Sequence, residues 1–216
     1  MESRTQIMSK TNDLGRDPIG KLVLKLAIPS MLAQFVNVFY GIVDRMYIGH
    51  IPHVGDLTLA GVGVCGPIVT LISSFAFLVG LGGAPLMAIR LGEKNKEGAQ
   101  KILANAFLML CVLALLLTGA ALLLKKPMLM AFGASGATYG YANEYMTIYV
   151  LGTLFAILSV GLNQYIICQG YSTMGMATVI IGAILNVLLD PVFIFLLRLG
   201  VRGAALATVI SQCISA

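Results

Sequence analysis

A few polar side chains sit inside long apolar runs, and their spacing is what could do chemistry. Gln34, Asn37, Tyr40 and Asp44 follow one another at intervals of three, three and four residues. At about 100° per residue, such spacing places them on one helix stripe roughly 120° wide. Further on, Asn186 and Asp190 stand one turn apart in Gly182-Ala-Ile-Leu-Asn186-Val-Leu-Leu-Asp190-Pro191, again on one face. Pro191 has no N–H, so the carbonyl of Val187 loses its helical partner beside them. A carboxylate, an amide oxygen and a released carbonyl are ligands for a hard cation. Alternatively, Asp190 withdrawn from water could take up and release a proton. Plainer readings exist for both carboxylates. Asp44 could pair with Arg45 or meet water, which would leave Gln34 and Asn37 still wanting partners. Asp190 could end a helix at an interface, although the apolar run 192–197 continues beyond it.

Other candidates carry less. Thr208, Ser211, Gln212 and Ser215 recur at i, i+3, i+4 and i+7, a polar helix face that serves either interhelical hydrogen bonding or binding. Glu144 is expected at an interface. His50 and His53 flank Pro52 with no neighbouring ligand set, so no metal site is expected there. Cys65, Cys111, Cys168 and Cys213 all fall in apolar segments without CxxC spacing and read as free buried thiols. Motifs of membrane enzymes, such as HExxH, GxSxG or repeated acidic clusters for Mg²⁺, do not occur.

The elements that must position these residues follow from composition. Of 216 residues 58% are hydrophobic and only 11% charged, against roughly a quarter charged in a soluble domain. Residues 46–89 carry a single charge, Asp56, and 127–197 carry two, Glu144 and Asp190. Apolar runs near 20 residues match a bilayer-spanning helix. An all-α polytopic membrane protein is therefore expected. Six spans are placed at about 25–48, 57–90, 102–124, 139–168, 174–197 and 203–216, after a polar segment 1–20. Glycines such as Gly61, Gly80 and Gly83 lie within the spans, where small residues let helices approach closely.

The sixth span is short. Its 14 residues rise about 21 Å against a hydrocarbon core of roughly 30 Å, and its last carbonyls would lie in lipid without partners. The expectation is a fragment of a longer protein. Orientation follows from the basic residues. A cytoplasmic N-terminus puts Arg4, Lys10, Arg16, Lys21, Lys25, Arg90, Lys94, Lys96 and Lys101 inside, nine against five outside (Arg45, Lys125, Lys126, Arg198 and Arg202). These residues sit at span ends without an aromatic platform, so the net charge of +5 is no nucleic-acid signal.

From about Pro18 onward the chain resembles the amino-terminal half of a MATE-family multidrug antiporter of the bacterial drug-efflux branch. The resemblance rests on Leu26-Ala-Ile-Pro-Ser, Val43-Asp-Arg-Met-Tyr-Ile-Gly and Leu81-Gly-Gly-Ala-Pro through Arg90-Leu-Gly. Its most specific part is Gly182-Ala-Ile-Leu-Asn-Val-Leu-Leu-Asp-Pro-Val-Phe-Ile-Phe with Gly200-Val-Arg-Gly-Ala-Ala-Leu-Ala-Thr-Val-Ile-Ser-Gln. Many relatives carry an Arg after the fourth helix, where this chain reads Ile167-Cys-Gln-Gly-Tyr-Ser.

The resemblance implies a six-helix MATE-type lobe, its sixth helix cut short, of a twelve-helix transporter with two lobes around a central cavity. It implies export of cationic amphipathic drugs in exchange for Na⁺ or H⁺, no other cofactor, and no metal beyond Na⁺ at the cation site. That site maps onto Asp44, Asn186, Asp190 and Thr208, with Tyr40, Gln34 and Asn37 lining or supporting the cavity. The expected surroundings are the bilayer of the inner (plasma) membrane and a second lobe, in the same chain or another. Three other readings stay open: a lipid-linked saccharide flippase, a non-transporting truncated or split gene product, and a membrane-embedded enzyme acting on lipid phosphates.

Overall fold

The structure, a computed structural model, describes residues 19–216. Arg4, Lys10 and Arg16, counted above toward an inside N-terminus, lie outside the described residues, as does nearly all of the 1–20 segment. The described residues form helices and no strand. They are α1 (Ile19–Gly49), α2 (Gly55–Gly92), α3 (Lys96–Ala131), α4 (Tyr139–Leu151), α5 (Thr153–Cys168), α6 (Ser172–Pro191), a π-helical turn (Val192–Leu196) and α7 (Val201–Ser215).

Four helical stretches are long and apolar enough to cross a bilayer: α1 from Val23, α2, α3, and α6 continued through its π-helical turn. The stretch 139–168 differs from the expectation of one continuous span. It is two helices, α4 and α5, bent by 58°. The cause is Gly152. Its N–H bonds back to the carbonyls of Ile148 and Tyr149, while its own carbonyl starts α5 by accepting from Phe155 and Ala156. Where a Cβ would stand on Gly152, the side chain of Val209 from α7 is seated. The break in the fourth span is thus what lets α7 come close.

Helix ends also run past the apolar stretches. α3 extends from Lys96 to Ala131 and takes in Lys125, Lys126 and Pro127, because apolarity marks only the part in lipid. Its start is fixed by Asn95, whose side chain accepts the N–H of Gly98 at 2.8 Å. Lys125 donates to Thr147 Oγ1 on α4 at 2.8 Å, so the ammonium stays paired at the span's end. With 38 residues, α2 would measure about 57 Å, which requires tilt or extension beyond the hydrocarbon.

Packing divides the lobe. α2 is held by α3, α4 and α5, α1 leans mainly on α6, and α7 is wedged among α4, α5 and α6. The shared core includes Ile68, Leu110, Met146, Val150, Ile157 and Tyr165. Tyr165 reaches across to donate to the carbonyl of Val79 at 2.8 Å. Leu115 and Leu123, 71% and 85% exposed, belong to a broad apolar exterior, as lipid contact requires. Of the four thiols only Cys65 is buried; Cys111 and Cys168 are half-buried and Cys213 is exposed, which corrects the reading of all four as buried. Exposure in lipid costs an apolar thiol little.

One close approach decides where the site's elements meet. Gly200 has φ +57°, a backbone region open chiefly to glycine, and it turns the chain sharply into α7. Three residues on, a Cβ on Gly203 would stand 2.6 Å from the carbonyl carbon of Phe193. The first turn of α7 therefore rests on the backbone of the π-helical turn that ends α6.

Candidate cation site and central cavity

α1, α2, α5, α6 and α7 enclose an open cavity of 370 Å³. Gln34, Asn37 and Tyr40 line it from α1, Asn186 from α6, and Thr208, Ser211, Gln212 and Ser215 from α7. The α1 stripe thus points at the polar face of α7 across the space. Asp44, a turn beyond Tyr40, lies deeper and is 8% exposed; Asp190 is 0% exposed.

The end of α6 is built by Pro191. Lacking an N–H, it breaks the regular ladder, and the N–H of Val192 bonds to Leu189 rather than Leu188. The chain then widens into the π-helical turn, closed by Leu197 N–H on the carbonyl of Val192. Single π turns often mark functional places in helices. Here the turn holds Asp190 inside the lobe, against α1 and α7.

Asp44 on α1 and Asp190 at the end of α6 are neighbours whose carboxyl groups act on one another. Asn186 Nδ2 donates to Thr208 Oγ1 at 3.4 Å, and Thr208 in turn donates to the carbonyl of Ala204 at 3.0 Å. The Asn186 amide is thereby turned with Oδ1 free. Within this group, four buried oxygens receive no hydrogen bond from the protein: Asp44 Oδ1, Asn186 Oδ1 and both carboxylate oxygens of Asp190. Arg45 is exposed and forms no ion pair with Asp44 among the described residues. Two adjacent buried carboxylates with no ion-paired cation, only the field of exposed Arg45 reaching Asp44, are costly. A shared proton or a bound hard cation removes that cost, and carboxylate, amide and hydroxyl oxygens are the donor set such a cation takes.

The arrangement brings together Asp44, Asn186, Asp190 and Thr208, with Tyr40 beside them. Gln34 and Asn37 stand apart on the cavity wall. Glu144 is elsewhere, in an ion pair with Arg202 at 2.7 Å that ties α4 to the start of α7. His50 caps α1 through Nδ1 on the carbonyl of Met46 at 2.7 Å. Among the described residues no three of His, Cys, Asp and Glu come together.

Sequence reasoning passed over part of the wall. Ser159, Asn163 and Gln164 line the cavity from α5. The signal used on α1, amides deep in an apolar span, picks out Asn163 and Gln164 equally well. Tyr145 and Tyr149, stacked at 6.2 Å, were also missed; Tyr145 meets Thr208, and Tyr149 meets Gln212 and Ser73.

The MatE family model matches residues 29–192, from the proline of α1 to the first residue of the π-helical turn. The chain belongs to the MatE family. The match takes in Asp44, Asn186 and Asp190, while Thr208 lies beyond it. Among curated relatives, the multidrug export protein MepA of Staphylococcus haemolyticus is 29% identical over 91% of this chain and 43% of its own length. The FAD transporter of Shewanella oneidensis is 27% identical over 92% of this chain and 44% of its own. A crystal structure of a MATE transporter in complex with MaD5 superposes with a TM-score of 0.86 at 28% identity, over 96% of this chain and 46% of that one. The MatE chain thus has the helical MATE fold and spans less than half the length of the relatives it matches.

Proposed function

We propose that this MatE chain is the amino-terminal lobe of a cation-coupled multidrug exporter of the plasma membrane. In this reading, Na⁺ or H⁺ occupies the Asp44–Asn186–Asp190–Thr208 cluster, and its binding and release drive a cationic amphipathic compound outward through the cavity. The observation that carries the reading is the set of buried, unpartnered oxygens on Asp44, Asn186 and Asp190, one wall away from a cavity. Ionisable groups held inside a membrane bundle usually mark ion or proton pathways. Asn186 and Thr208 touch both the cluster and the cavity, so cargo and cation would share those side chains. The export and transport named for the relatives agree with this reading.

Completion of the cavity would come from a second lobe, in the same chain or a partner. A saccharide-lipid flippase is less well supported. Its charged cargo calls for a basic cavity, and among the described lining residues there is no Lys or Arg. An enzyme acting on lipid phosphates would need more carboxylates than the single pair.

The test is gradient-driven efflux of ethidium from cells producing the complete protein. The variant Asp190→Asn, matched for expression, is expected to abolish it. Efflux at the wild-type rate in that variant would overturn the assignment.

A further inference from the structure

Of the four polar residues on the α7 face, two have structural duties. Thr208 is engaged with Asn186 and Ala204, and Ser215 accepts from Ser159 at 3.3 Å and donates to the carbonyl of Thr178 at 3.0 Å. Ser211 and Gln212 are different. Both line the cavity, and the buried atoms Ser211 Oγ and Gln212 Oε1 have no hydrogen-bond partner in the protein. Ser211 is only 4% exposed. Gln212 lies beside Tyr149. Its amide oxygen is left open to a ligand in the cavity.

The rest of the wall fits the same chemistry. Among the described lining residues none is Asp, Glu, His, Lys or Arg. The polar lining is amide and hydroxyl, and Tyr40 and Phe77 add aromatic surface. A buried acceptor left unmade is costly, and a ligand that satisfies it gains over one that cannot.

We propose that Ser211 and Gln212 form a hydrogen-bonding subsite for an N–H or O–H donor carried on a planar aromatic cargo molecule. This lobe then distinguishes among cationic cargo molecules by their donors. The inference rests on the export reading in taking the ligand as cargo, but its test is equilibrium binding and needs no gradient.

Two dyes separate donor from charge. Proflavine and acridine orange share a cationic acridine ring, but proflavine carries free amino groups where acridine orange is fully N-methylated. Binding of each to the purified complete protein in detergent is read by fluorescence anisotropy. Wild type is expected to prefer proflavine by about tenfold, the size of one well-made hydrogen bond. In Ser211→Ala and in Gln212→Met the preference is expected to fall toward one. A general structural defect would weaken both dyes together and leave their ratio intact, which would count against the subsite. So would a wild-type ratio near one, or no binding of either dye. The wild-type ratio and Ser211→Ala carry the test should Gln212→Met fail to fold. Efflux along a gradient, measured separately, decides the export reading: its loss with the binding ratio intact would remove the transporter and keep the subsite.

Discussion

Asp190 is the residue on which the most physics converges. It has neither exposure nor a protein donor, and it faces a second carboxylate. Asn186 and Thr208 complete the group, and Thr208 sets how the Asn186 amide is turned. Replacing Thr208 with Val keeps the shape, deletes the hydroxyl and leaves Asn186 Nδ2 unpaired, at a cost of about 1–3 kcal/mol. The expected outcome is a rise of about tenfold in the Na⁺ or H⁺ concentration for half-maximal dye efflux by the complete protein, with the maximal rate retained. A concentration dependence like that of wild type would deny Thr208 a part in the cluster. Asp44, Asn186 and Asp190 were legible in the sequence because charge and amide are rare inside apolar spans, whereas Thr208 was visible only as one member of a polar face. Ser211 and Gln212 were visible as a polar face, yet only the fold divides that face into bonded and unbonded halves. Asn163 and Gln164 carried the same signal as Gln34 and Asn37.

The elements were less legible than the residues. Apolar runs mark the part of a helix that lies in lipid, so the run expected at 102–124 is the centre of α3 and says nothing of its ends at Lys96 and Ala131. The 58° break at Gly152 was not legible either. A glycine within a span signals close packing or a bend equally, and the partner that decides, Val209, is more than fifty residues away in sequence. Pro191 was informative because a missing N–H is a local fact; that the chain answers with a π-helical turn depends on α7 resting against it. That contact can be tested. Gly203→Ala would push a Cβ to 2.6 Å from Phe193 backbone, an overpacking expected to cost about 1–3 kcal/mol. Gly119→Ala in α3, with nothing within 4 Å of the added carbon, is expected to be neutral or stabilising, since alanine favours helix over glycine. Thermal unfolding in detergent should lower the midpoint for Gly203→Ala alone. Equal midpoints would contradict the packing described for α7.

At the scale of the molecule, the sequence made the class plain. Too little charge was present for a soluble surface, and the motif pair around Asp190 and Gly200 pointed to one family. The cavity was not legible, because it exists only where five helices, α1, α2, α5, α6 and α7, meet. Its position beside the buried carboxylates joins the observations into one account, in which cation and cargo are exchanged across Asn186 and Thr208. The most direct measurement is therefore cation displacement. Ethidium is added to the purified complete protein, and the Na⁺ or H⁺ released is measured together with dye binding. The account predicts that bound dye displaces cation from wild type, and that Asp44→Asn with Asp190→Asn together eliminates the release while dye still binds. Release of the same amount of cation from that double variant would contradict it.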